Sequence, residues 1–187
     1  AAGDLGTACE AMAVSPRASF DSSDPPDPER TALLREVLAF DDLTSTQRAH
    51  MLGHLATELI YERDIEGRAA ALAEFRTLTT GLPALEQVQL RNPGSGSLRA
   101  VSRREATELL DIFSEAARLV PQPSLRMRYL QGACFQAFRV GDRDVLEQTL
   151  SQLLLPAGPN ANGSTDPPSN RRARLFILSM LLLIGMI

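Results

Sequence analysis

Ser102-Arg103-Arg104-Glu105-Ala106-Thr107-Glu108-Leu109-Leu110-Asp111-Ile112-Phe113-Ser114-Glu115-Ala116-Ala117-Arg118-Leu119-Val120 is the stretch that decides the fold class. Ala106, Leu109, Leu110, Phe113, Ala117 and Val120 recur at spacings of three and four, the period of a helix with one buried face. Ser102 and Glu105 form a capping-box pattern, in which each side chain satisfies a free backbone donor of the other. Pro121 and Pro123 end the helix, because proline lacks the donor a helix interior needs.

The same period continues in both directions. Downstream, Ser124 caps a helix whose expected buried stripe is Leu130, Ala133, Cys134, Ala137 and Phe138, and Gly141 stops it. Asp142 then caps a last helix with Val145, Leu146, Thr149, Leu150, Leu153 and Leu154, closed by Pro156. Upstream, Asp27 and Pro28 open a helix with Leu33, Leu34, Val37 and Leu38 on one face. Thr44 and Gln47 make another capping box, before a stripe of Leu52, Leu55, Ala56, Leu59 and Ile60. Asp64 caps a helix carrying Ile65, Leu72, Phe75 and Leu78, ending near Gly81 and Pro83. Residues 84–90 fit a short helix or a strand, and 92–97 read as a loop.

No segment alternates apolar and polar residues over six or more positions, so no sheet is expected. The fold class is all-α: about six stacked antiparallel helices, as a bundle or a short helical-repeat arrangement. The expected organisation is a flexible Pro-rich arm at 1–28, a helical domain at 29–156 with a possible break into three-helix halves near 81–101, a linker at 157–174 and an apolar segment at 175–187. A displacement of 78 sets Arg48 over Arg126, Leu52 over Leu130, Asp64 over Asp142 and Leu72 over Leu150. Helices of equal length share caps and stripes without common origin, so this is a likeness of form.

All 19 basic residues are arginine; the chain has neither lysine nor tryptophan. Schiff-base chemistry, a lysine base and a P-loop lysine are thereby excluded. A net charge of −4 argues against a nucleic-acid binder. Residues 1–43 carry nine acids and three arginines, whereas 91–143 carry nine arginines and five acids, which favours attraction between the two segments. Two cysteines, Cys9 and Cys134, make no disulfide scaffold. The expected state of Cys9 is an exposed thiol, and that of Cys134 a small hydrophobe on a buried stripe. The Ala-Ala-Gly start points to a removed leader or to a segment of a longer chain.

After Pro156 the composition turns to glycine, asparagine, serine and proline, then to Arg171, Arg172 and Arg174, and then to thirteen residues without charge, Leu175 to Ile187. Thirteen helical residues reach about 20 Å, short of the about 30 Å of a hydrocarbon core. Three readings follow: a span cut short, a removable lipid-anchor signal, or a core helix. The long linker favours membrane anchoring, with the side undecided. Asn162-Gly163-Ser164 is a glycosylation acceptor triplet.

His50 and His54, the only histidines, lie four apart with Glu58 one turn further, so one helix face could present two imidazoles and a carboxylate to a zinc-like ion. The simpler reading is an exposed helix edge formed by His50, Gly53 and His54. Arg99, Arg103, Arg104, Arg126 and Arg128 are the candidates for a patch that meets an acidic partner, although Arg103 and Arg104 stand in a first turn where the helix dipole disfavours cations. No nucleophile elbow, phosphate loop or cofactor motif is present, and no cofactor is expected.

Residues 126–156 resemble a tetratricopeptide hairpin: two amphipathic helices meet at Gly141-Asp142, Pro156 closes the pair, and Gly132, Ala133 and Ala137 permit close packing. The family's tryptophan is absent. With stacked helices, no active-site pattern and an apolar tail, the expected function is a non-catalytic interaction or scaffold domain, tethered to a membrane, with another protein as partner and no nucleic acid. The alternatives are a metal-binding protein or metalloenzyme using His50, His54 and Glu58, and a helical segment or subunit of a larger complex.

Overall fold

The structure, a computed structural model, describes residues 25–91 and 102–154 together with Thr7, Cys9 and Met12. The regular secondary structure of the described residues is all helical, with no strand among them. They contain α1 (Pro28–Leu38), α2 (Ser45–Glu62), α3 (Ile65–Thr79), α4 (Ala84–Arg91), α5 (Arg103–Leu119), α6 (Pro123–Val140) and α7 (Arg143–Leu154). They divide into two compact units, one on each side of the 92–101 segment.

In the first unit, α2 is the axis. Its start is held by the Thr44–Gln47 box: Gln47 N donates to Thr44 Oγ1 at 3.2 Å and Thr44 N donates to Gln47 Oε1 at 3.0 Å. From Met51 to Leu59 every residue is buried, so this helix is enclosed on all sides and not on one stripe. Arginines define how its neighbours run. Arg48 Nη1 donates to Leu38 O at 3.0 Å, joining the start of α2 to the end of α1. Arg30 near the start of α1 pairs with Glu58 near the end of α2, so the two are antiparallel. Arg68 Nε donates to Ala56 O at 3.0 Å and Arg48 pairs with Glu74, which makes α3 antiparallel to α2 as well.

Helix α4 resolves the ambiguity at 84–90 in favour of a helix, and it packs on α2 through Gly53. Cys9 and Met12, placed by their small, weakly patterned surroundings in a flexible arm, are helical and only 4% and 6% exposed. They join Leu34, Leu52, Leu59 and Phe75 in the core. Their spacing of three puts both sulfurs on one helix face, a pattern too short to register as periodicity.

The second unit has α6 as its middle helix, packed against α5 and α7. Arg103 Nη2 donates to Val140 O at 2.9 Å, joining the start of α5 to the end of α6. The Ser102 box is half formed: Ser102 Oγ accepts from Glu105 N at 3.2 Å, while Glu105 itself is buried. Gly132 faces the Phe113 ring so closely that an added Cβ would lie 3.0 Å from its carbons. Phe138, expected in the buried stripe, is exposed; one residue beyond Ala137 it stands about 100° round the helix, off the covered face.

The two units share one plan. Helices α2 and α6 are both 18 residues long with bounds displaced by 78, and both end in a left-handed cap, Arg63 (φ 60°) and Gly141 (φ 74°). Asp64 and Asp142 then cap the following helices, through Gly67 N at 2.8 Å and Val145 N at 3.1 Å. Burial follows the same displacement: Leu52 with Leu130, Glu58 with Gln136, Leu72 with Leu150, and Phe75 with Leu153 are all buried.

Candidate functional site

Helix α2 carries a line of polar side chains into the first unit. The four-residue spacing of His50, His54 and Glu58 stacks them along one face of α2, on which both α1 and α4 pack, α1 reaching Glu58 through Arg30. Two members of the expected exposed edge are interior, His54 at 2% exposed and Gly53, while His50 is half-buried. The cause is close approach. A Cβ on Gly53 would come within 2.5 Å of Arg91 O and 2.6 Å of Leu90 O, so only glycine lets the end of α4 lie there.

The two imidazole centroids are 5.0 Å apart at 37°. His50 Nε2, His54 Nε2 and Arg30 Nη2 are buried without a hydrogen-bond partner. Burial, reinforced by His50 and then Arg30, holds His54 down to about 3, and burial also lowers His50. Both rings are therefore neutral at neutral pH, and a charge on His54 would face the Arg30 guanidinium.

The expected metal set does not assemble. Glu58 Oε1 accepts from Arg30 Nε at 2.9 Å, which commits the carboxylate to an ion pair. A cation beside His54 also opposes a second positive charge. Among the described residues, no group of three or more histidine, cysteine, aspartate and glutamate side chains could hold a metal ion.

The thiols are equally enclosed. Cys9 is buried, against the expectation of exposure, and burial raises its pKa. Cys134 is buried as expected, with its pKa pushed up to about 11, so it is a protonated, inert thiol at neutral pH.

The arginine patch separates into ends. Arg103 is bonded to Val140 at the end of α6, and Arg104 pairs with Glu108 at 3.3 Å. Arg126 and Arg128 are exposed near the start of α6. Between 126 and 140 a helix rises about 21 Å, so the two arginine pairs lie at opposite ends of the hairpin. Arg99 lies outside the described residues, as do Asn162, the linker 157–174 and the apolar segment 175–187. No described helix is long and apolar enough to cross a membrane.

Arg30 and α4 were the parts of this cluster not legible locally. The one available signal was Gly53: a glycine within an apolar helix costs about 1 kcal/mol against alanine and so points to a close neighbour. No protein-family model, curated protein or solved structure matches the chain.

Proposed function

We propose that this chain is a non-catalytic helical domain that binds another protein and is held at a membrane by residues 175–187. The observation that carries the binding reading is the outer stripe of α1. Glu29, Leu33 and Glu36 succeed one another at helical spacings, Phe40 follows two residues beyond the helix end, and Leu33 and Phe40 are 47% and 49% exposed. Asp41 and Asp42 follow, both exposed. The opposite face of α1 buries Thr31, Leu34 and Val37, so the stripe is open without disturbing the unit. Two large apolar side chains among four carboxylates suit a partner helix with an apolar stripe edged by cations. The buried His54 imidazole and the two buried thiols support the non-catalytic reading, since a reacting group needs access to its substrate. The tether rests on Arg171, Arg172 and Arg174 ahead of thirteen uncharged residues.

A labelled cationic amphipathic helical peptide, titrated against the full chain by fluorescence anisotropy, tests the binding surface. The Leu33→Asp, Phe40→Asp double variant is expected to bind at least about tenfold more weakly with unchanged circular dichroism, in line with loss of an apolar anchor pair. Equal binding by the variant removes the stripe from the proposal. Flotation with anionic lipid vesicles tests the tether: the full chain should float and a chain ending at Asn170 should not.

A further inference from the structure

We propose that the His50–His54 pair makes the first unit, and not the second, open at mildly acidic pH. The pair flanks Gly53, where the end of α4 meets the α2 backbone with no room for a side chain. Its two Nε2 atoms are buried without partners, 5.0 Å separates the rings, and Arg30 stands by with its own Nη2 unbonded. The charged groups around the pair are accounted for element by element. Helix α1 contributes Arg30, α2 contributes Glu58, already paired with Arg30, and α4 contributes the buried Arg91. From α3, Arg68 is bonded to Ala56 O and Glu74 is paired with Arg48. A proton on His54 therefore adds positive charge beside His50 and Arg30, and a proton on His50 charges a ring that burial favours neutral. In the closed unit both are opposed, and both histidines are lowered.

An opened unit hydrates both rings and returns them to the ordinary range near 6.5. Each histidine that is neutral when closed then raises the open-to-closed ratio about tenfold per pH unit below that value, or about thirtyfold at pH 5. Ordinary carboxylates stay mostly ionised down to pH 5, so this window belongs to the histidines. The second unit has no histidine, because the chain has only these two. Each unit also carries one buried cysteine, Cys9 in the first and Cys134 in the second, which supplies a reporter and an internal reference.

The test is pulse labelling of the full chain with a dithiopyridine reagent, which reacts in acid, read by mass spectrometry at both cysteines from pH 7.5 to 5. The Cys9-to-Cys134 rate ratio should rise at least tenfold at pH 5, and a His50→Gln, His54→Gln variant should show a flat ratio. A wild-type ratio that stays within twofold overturns the proposal. Should the variant label like denatured chain at pH 7.5, the histidine ring resonances of the native wild type decide. An His54 resonance still unprotonated at pH 5 in the closed unit upholds the proposal, and one titrating near 6.5 overturns it.

Discussion

Gly53 lies beneath the backbone of Arg91: an added Cβ would stand 2.5 Å from the Arg91 carbonyl oxygen and 2.8 Å from its Cα. Backbone atoms cannot rotate away as a side chain can, so the contact fixes how closely α4 approaches α2. Gly53→Ala gains about 1 kcal/mol of helix propensity but forces a backbone shift costing about 1–3 kcal/mol. A net loss of about 1 kcal/mol is expected in urea denaturation, with exchange of the α4 amides accelerated. Increased stability would mean that α4 is not seated there.

The Arg30–Glu58 pair should behave as an enclosed ion pair. Arg30→Met removes the guanidinium from a buried carboxylate and is expected to cost about 3 kcal/mol, whereas pairing it with Glu58→Gln should recover part of that loss. A double-mutant cycle measures the coupling. Additive losses would show that the pair contributes nothing beyond its parts.

Stability should decline at both ends of the pH range, for different units. His54 has a folded value of about 3 against about 6.5 unfolded, so the unfolded chain binds the extra proton between them. Its contribution is complete above about 6.5 and falls with acidification by about 1.4 kcal/mol per pH unit. Cys134 is opposite in sign: raised from 9.0 to about 11, it contributes fully below 9 and loses that contribution as the pH climbs toward 11. Urea midpoints followed across pH should show the acid slope reduced in His54→Gln, with His50 supplying the remainder, and the alkaline slope vanish in Cys134→Ala.

The matched caps of α2 and α6 give a reciprocal prediction. Arg63 holds φ 60° with a side chain, and Gly141 holds φ 74° without one. Left-handed backbone costs a non-glycine residue about 1–2 kcal/mol. Arg63→Gly should therefore stabilise by about 0.5–1 kcal/mol and Gly141→Ala should destabilise by about 1 kcal/mol, both read from thermal unfolding. Changes of the same sign would contradict the shared plan of the two caps.

The helices and their ends were legible in the sequence because their causes are local. The Thr44–Gln47 box, the Asp64 and Asp142 caps and the Gly141 stop act within four residues, and the three-to-four spacing of Leu109, Leu110 and Phe113 names a face without reference to any neighbour. What covers a face is another matter. Whether His54 is wet or dry depends on α4, more than thirty residues further on, and Glu58 meets Arg30 across 28 positions. Cys9 and Met12 gained their place in the core only from the helices they pack against. The five arginines looked like one patch in sequence, but the rise of α6 carries Arg126 away from Arg103. The sequence by itself determined the all-α class and most of the described helix ends, though not the helix at Ala84–Arg91 or the helical placement of Cys9 and Met12. The tertiary structure decided which polar groups lie inside, because desolvation and ion pairing are set by chain segments brought together from far apart.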